Sequence, residues 1–336
     1  MRTVEQISET MIKPSPAELQ IAQQFLSEFR DARNIDGDMS MTCIYRSADF
    51  SDERLVYRVT TSHDTEYALK IDVAPAPNPR LSDEFKVLTR LVPHFEHRAE
   101  VDVVKPLYLS PSARFLVTEF VDHKTATHHI FNSKKDAQAG QMYRRAGHWL
   151  HELHDIDPPS KTRFWFDWMF EAIEEKLSAG LPMMPASDYR PMIEQMKRDV
   201  ECIKQFKAFK RYCHGDFHGE NLIMGRGTAF GLDFTEHRVK LGEYDIVDFL
   251  KGDVYRSGNP LDVDRSGILR SNKEMFFKRY KHRINMAILD YCIRARMLID
   301  CLHITQNMYK ADEFQRTKYR NLHNRLTLAF RTPIEG

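Results

Sequence analysis

The chain has 336 residues, 42% of them hydrophobic and 29% charged, an ordinary composition for a soluble globular protein long enough for two lobes. No run approaches the roughly 20 apolar residues that span a bilayer, and the N-terminal MRTVEQISETMIKPSPAELQ lacks the apolar core of a secretory leader, so a cytoplasmic protein is expected. The five cysteines (Cys43, Cys202, Cys213, Cys292, Cys301) are scattered, with no CxxC pair and no zinc pattern with nearby histidines, which excludes a disulfide framework. The net charge of +1 hides an asymmetry: residues 265–331 hold 15 Lys and Arg against 5 Asp and Glu, a balance of +10 that leaves about −9 on the rest.

In chain order, Ser15-Pro16-Ala17-Glu18 reads as a capping box with proline at the first helical position, opening a helix to about Arg33. Three strands are predicted over 41–46, 54–61 and 66–73, rich in Val, Tyr, Thr and Leu and separated by polar loops. Pro75, Pro77 and Pro79 break the chain before a helix over 82–91, with Phe85, Leu88 and Leu91 on one side. Strands over 101–109 and 114–120 follow.

After Val121 the texture changes. Helices are predicted over 143–154, 165–179, 191–209, 245–256, 273–304 and 313–330, with a mixed stretch at 214–234. His128 and His129 are expected in a loop. A strand-rich first third and a helix-rich remainder predict an α+β arrangement: a small N-terminal lobe (1–120) with an antiparallel sheet, and a larger helical C-terminal lobe (121–336).

The stretch CHGDFHGENLIMGRGTAFGLDF (213–234) carries the chemistry. Phosphoryl transfer from ATP to a hydroxyl needs a carboxylate to orient the hydroxyl and take its proton, oxygen ligands for Mg²⁺, and a cation on the phosphates. Asp216 suits the base, Asn221 reaches a metal from the far end of the same loop, and Asp233 binds metal from the turn after a hairpin. Leu222, Ile223 and Met224 would bury the strand behind the loop, His214 would brace it, and Gly215 would allow a tight turn.

These residues resemble a known family. His214 to Asn221 is similar to the HGDxxxxN catalytic loop of the aminoglycoside phosphotransferase and choline kinase-like enzymes, which have a bilobal protein-kinase-like fold. Leu232-Asp233-Phe234 resembles their metal-binding motif, Glu243 to Asp248 their following "xYD" element, and Leu150 to His154 their "LH" helix end. The resemblance implies ATP and Mg²⁺ as cofactors and a structural brace at Asp245. It implies that Lys70, in Tyr67-Ala68-Leu69-Lys70-Ile71, pairs with the α and β phosphates, with Glu84 as its partner from the following helix. It also implies a hinge at Glu119 and Val121, whose backbone would bind adenine, and an apolar sandwich from Ala68 and Leu232 or Ile223. Three features depart from the family: the phosphate loop Ser47–Glu53 has no glycine, Gly219-Glu220 stands where the family commonly has Pro-Gly, and His218 stands where protein kinases carry lysine.

The reaction expected is transfer of the γ-phosphoryl group to a hydroxyl of a small molecule. The basic C-terminal segment suits an anionic acceptor, or contact with an RNA or a membrane surface; no DNA partner is expected. The aromatic group Phe164-Trp165-Phe166-Trp168-Phe170 reads as lobe packing, with an acceptor wall or a choline cage as the alternative. A protein kinase fits less well: HGD replaces HRD, Ala-Pro-Glu is missing, and only a dozen residues separate Asp233 from Asp245. The competing class is a non-catalytic kinase-fold module that binds an anionic partner.

Overall fold

The structure, a computed structural model, describes residues 13–46, 54–73, 79–256 and 258–335. The glycine-free loop 47–53 therefore lies outside the described residues. The chain runs α1 (Pro16–Ala32), β1 (Met39–Arg46), β2 (Arg54–Thr61), β3 (Glu66–Asp72), α2 (Arg80–Phe95), β4 (Val101–Val103), β5 (Pro106–Leu109) and β6 (Phe115–Glu119). It continues α3 (Ala126–Asn132), α4 (Asp136–Leu153), β7 (Ser160–Arg163), α5 (Asp167–Ala179), α6 (Ala186–Ile203), β8 (Lys207–Cys213), β9 (Leu222–Met224), β10 (Ala229–Gly231) and β11 (Arg238–Leu241). It ends with α7 (Gly242–Leu250), α8 (Arg270–Phe277), α9 (Met286–His303), α10 (Gln306–Ala311) and α11 (Glu313–Ala329). These elements pack into two compact units.

The first unit takes the chain up to Lys124 together with residues 223–235. Its five-stranded sheet, in the order β1-β2-β3-β6-β5, is antiparallel throughout. Alternation along β2 and β3 sends Leu55, Tyr57, Val59, Leu69 and Ile71 into a core closed by Ala22, Leu26 and Phe29 of α1. The start of α1 is fixed by its sequence: Ser15 Oγ accepts from the Glu18 amide, and Glu18 accepts from the Ser15 amide at 2.6 Å. A second, three-stranded sheet (β4-β10-β9) belongs to the same unit, with β10 parallel to β4. That pairing is what draws 223–235 away from its neighbours in sequence.

The second unit, from Thr125 to Leu222 and from Glu236 onward, is mainly helical. Its central element is α9, buried on almost every side and packed against α5, α6, α7 and α11. One antiparallel sheet, ordered β11-β8-β7, carries β8 directly into His214-Gly215-Asp216. No helix among the described residues is long and apolar enough to cross a membrane.

Several elements differ from the sequence expectations. The run 101–109 is two strands in two different sheets, interrupted before Pro106. The helix expected over 191–209 starts earlier and stops at Ile203, because Lys207 onward pairs in a sheet. The helix expected over 273–304 is two helices, the second restarted by Asn285, whose side chain caps the amides of Ala287 and Ile288. His128 and His129 lie in α3, not in a loop; Thr125 caps that helix by accepting from the His128 amide. The buried side of α2 holds Leu81, Glu84, Val87, Leu88 and Leu91, so a carboxylate stands where periodicity placed Phe85.

The basic segment 265–331 is neutralised in part within its own unit. Arg265 and Lys273 pair with Asp290, Lys273 also with Asp264, Arg294 with Asp199, Arg296 with Asp248, Arg316 and Arg320 with Glu313, and Arg325 with Asp253.

Candidate active site

The first unit holds a charged cluster on the sheet face opposite α1. Lys70, at the centre of β3, points away from Leu69 and Ile71, and its Nζ meets Glu84 Oε2 of α2 at 2.6 Å and Asp233 Oδ1 at 2.9 Å. Burial disfavours the ammonium, but Asp233 and Glu84 outweigh it and hold Lys70 above its usual range. Asp233 sits at φ 62°, a left-handed backbone that aspartate tolerates better than most residues. Its second oxygen faces Arg54 Nη1 at 3.4 Å, and Thr235 Oγ1 donates to the first at 3.2 Å. A carboxylate gathering this many donors is held in one orientation, with the hard oxygens a divalent cation takes.

The expected hinge lies at the end of β6 in this unit. The Glu119 amide donates to the Lys105 carbonyl at 3.0 Å and its carboxylate turns back onto the Lys105 amide, so the side chain fixes the strand end. Burial pushes that carboxyl up, against the pull of Lys105. Val121 follows the strand, half-buried, and its carbonyl accepts from the His123 amide. Ala68, Ile223 and Leu232 are each partly exposed, as a ring-binding surface requires.

The second unit holds the residues of the expected catalytic loop. Asp245, fully buried at the start of α7, accepts the His214 amide at 2.7 Å and the Gly215 amide at 3.1 Å. His154 Nε2 lies 3.2 Å from the same carboxylate, and Lys240 Nζ donates to the Gly215 carbonyl at 3.0 Å. Burial works against ionisation of Asp245, but the His154 hydrogen bond and the Lys240 charge prevail and hold it well below the usual carboxylate range. Gly215 is required here: its φ is 95°, and a Cβ would fall 1.8 Å from the Glu236 carbonyl oxygen. Behind the loop Phe217 is stacked between Trp149 and Phe249.

Asp216 itself is half-exposed, and His218 Nε2 lies 3.3 Å from its Oδ2. His218 Nδ1 accepts from the Glu220 amide at 3.2 Å, so the neutral ring carries its proton on Nε2, toward Asp216. Asn221 Nδ2 donates to the Asp216 carbonyl at 2.9 Å, which leaves the amide oxygen as the group's ligand atom. The unusual Gly219-Glu220 pair has a local cause. A Cβ at 219 would fall 2.5 Å from Thr127 Oγ1, and Glu220 accepts from Thr125 Oγ1 at 2.8 Å, tying the loop to the start of α3.

An Asp carboxylate and a fixed Asn oxygen are the donor types Mg²⁺ takes, and Lys70 is the cation a triphosphate needs, so these residues fit both cofactors. All of them were named as candidates from the sequence. Sequence reasoning missed His218 as a partner of Asp216 by geometry, and the roles of Lys240 and Tyr280, whose hydroxyl is 2.8 Å from His154 Nδ1. Their signal lies in tertiary contacts alone. Among the described residues His154, Cys213 and Asp245 also bring ligand-type atoms within 4.8 Å of one another. Both Asp245 oxygens are engaged by the loop, and burial pushes the Cys213 thiol up, so this group is a brace.

The aromatic group divides. Phe164 is buried edge-on to Tyr291, whereas Trp165 is 60% exposed. Trp168 Nε1 donates to Tyr244 Oη at 3.0 Å, and cations already cover these rings: Arg296 lies 5.9 Å from the Trp168 ring and Lys240 5.9 Å from that of Tyr244.

No curated protein sequence matches the chain. Among solved structures, a spectinomycin phosphotransferase in complex with ADP and spectinomycin aligns over 91% of this chain and 97% of its own, with a TM-score of 0.56 at 16% identity. A choline/ethanolamine kinase family protein from Mesorhizobium loti aligns over 94% and 95% (0.56, 15%), and an amicoumacin kinase in complex with AMP-PNP and Ca²⁺ over 96% and 98% (0.54, 14%). Similarity at this identity establishes the protein-kinase-like fold. The phosphotransferase enzyme family profile matches residues 47–267, about two thirds of the sequence. The chain belongs to that phosphotransferase family, whose fold it shares with aminoglycoside phosphotransferases and choline kinases.

Proposed function

We propose that this chain is an ATP- and Mg²⁺-dependent kinase that transfers the γ-phosphoryl group to a hydroxyl of a small molecule. The observation that carries the reading is the Lys70–Glu84–Asp233 network: a strand lysine held charged between a helix glutamate and a turn aspartate. That arrangement positions a cation for phosphate oxygens and leaves the aspartate able to exchange its lysine contact for a metal ion. When bound, Mg²⁺ neutralises the phosphate charge that develops during transfer.

The chain's own residues do the rest. Asp216 orients the acceptor hydroxyl and takes its proton as that oxygen bonds to the γ-phosphorus and the bridge to the β-phosphate breaks, releasing ADP. His218, protonated on Nε2, steadies the Asp216 carboxylate. Asn221 and Asp233 would serve as the metal's ligands. Lys70, with Glu84 as its anchor, restrains the α and β phosphates, and the backbone at Glu119 and Val121 binds adenine.

The rings of Trp168 and Tyr244 favour a neutral or anionic alcohol as acceptor over a choline-type cation. A choline-type cation needs open aromatic faces, and the rings of Trp168 and Tyr244 already face Arg296 and Lys240. The neighbours' acceptors, spectinomycin among them, show what such folds phosphorylate and do not fix the acceptor here. The test is an ATP-consumption screen across sugars, sugar phosphates, amino alcohols and aminoglycosides, run on the parent and on Asp216→Ala. Turnover with one acceptor that falls by about 10²-fold or more in the variant, with ATP binding kept, supports the proposal. Equal turnover in both removes Asp216 from the mechanism.

A further inference from the structure

A second pocket, of about 270 Å³, lies in the helical unit and takes no part in the chemistry above. It is lined by Lys161 of β7, Lys207 and Phe209 of β8, and Arg283, Ile284 and Asn285 ahead of α9. Three of its six lining residues are cations and none is an acid. Neither Lys161, Lys207 nor Arg283 has an ion pair or a side-chain hydrogen bond among the described residues. Several cations of the basic segment, Lys273 and Arg294 among them, are by contrast matched to carboxylates.

The sheet register concentrates the charge further. Lys161 stands directly opposite Phe209, and Arg163 directly opposite Lys207, so alternation places Lys161, Arg163, Lys207 and Phe209 on one face. Like charges directly opposite one another on a sheet are destabilising, and Arg163 also has no ion partner among the described residues. Glu243, beside the lining, accepts from the Asn285 amide at 3.3 Å. It is buried, and burial pushes its carboxyl up, toward the neutral form. The 18-residue helix α9 starts at Met286, immediately after the lining, and its N-terminus adds positive potential.

We propose that this pocket binds the phosphate group of a small phosphomonoester that is not the reacting acceptor. A dianion is matched to several convergent cations better than a carboxylate is, and Phe209 offers an apolar wall to the organic part. Lys207 opens strand β8 and Cys213 closes it, and six residues of strand span about 20 Å, more than a sugar phosphate covers. Lys207 and the loop that follows Cys213 therefore lie at opposite ends of one strand. The proposal does not depend on phosphoryl transfer at Asp216.

The experiment is calorimetric titration and thermal shift of the full chain with inorganic phosphate and with phenyl phosphate, against chloride at matched ionic strength. The parent is expected to bind both, phenyl phosphate more tightly. The double variant Lys207→Gln/Arg283→Gln is expected to bind at least about tenfold more weakly. Lys70→Ala is expected to bind as the parent does, which separates this pocket from the nucleotide residues. Without phosphate the double variant should melt no lower than the parent, because the cations repel one another. No binding by the parent, unchanged affinity in the double variant, or affinity lost only in Lys70→Ala would each overturn the site.

Discussion

His154 and Asp245 face each other at 3.2 Å, both fully buried, and the carboxylate of that pair receives the two backbone amides that open the His214–Asn221 loop. The loop is thus held through main-chain hydrogen bonds to a buried charge. Its shape depends on a residue 29 positions beyond Asp216.

Asp245→Asn should expose this dependence. It removes the charge that Lys240 and the two amides address, so a loss of about 2–4 kcal/mol is expected in urea unfolding, with turnover falling further than ATP affinity. The effect has a pH signature. A carboxyl held below its unfolded value stabilises above about pH 4 and loses that contribution as pH falls through its folded value, so parent and variant should converge in stability in strong acid. A constant gap would contradict the assignment.

Lys70→Ala should leave the fold intact but strand Glu84 and Asp233 beside each other without their shared cation. The expected result is an ATP affinity lowered about tenfold or more, with a steeper Mg²⁺ requirement. Unchanged nucleotide affinity by calorimetry would remove Lys70 from the phosphate site.

Arg294 is a structural centre rather than a catalytic one. It lies inside α9, fully buried, donating to Asp199 at 2.9 Å and to the carbonyls of Arg265, Ala329 and Thr332. Burial pulls it down to about 10, still charged at neutral pH. Arg294→Met should cost about 3–5 kcal/mol, because Asp199 and the carbonyls lose the donor they share. A melting temperature within a degree of the parent would refute that weight.

His282 provides a pH test in a mild range. Burial, with Arg211 and two further histidines nearby, pushes it down to about 4, although its bond to the His151 carbonyl pulls the other way. Its folded value lies below the unfolded one of about 6.5, so stability is complete above pH 6.5 and declines toward pH 4. The group is half-exposed, so on the order of 1 kcal/mol is expected. His282→Gln should flatten the slope of stability against pH across that window, as measured by denaturant melts.

The residues of the candidate site were legible in the sequence because each sits in a short motif of fixed spacing: His214 to Asn221, Leu232 to Phe234, and Lys70 within an apolar strand. The cap at Ser15 and Glu18 was equally local. The missed features are those assembled from distant segments. Strands β7 and β11 are short and polar, and only pairing with β8 makes them strands. Glu84 on a buried helix face is intelligible once Lys70 is opposite. The break between α8 and α9 was hidden by apolar residues on both sides, although Asn285 carried its signal. The unpaired cations of the phosphate pocket come from three segments, and no single stretch announces them.

The return of residues 223–235 to the β-rich unit bears on how the protein is made. Strand β10 and Asp233 leave the ribosome about a hundred residues after Lys124, which at roughly 5–20 residues per second is a delay of about 5–20 s. During that interval the nascent lobe has Lys70 and Glu84 in place but lacks the turn that completes the triad, and β4 has no strand beside it. A chain released before residue 235 carries this lobe unfinished, so the lobe cannot mature as an independent N-terminal fragment.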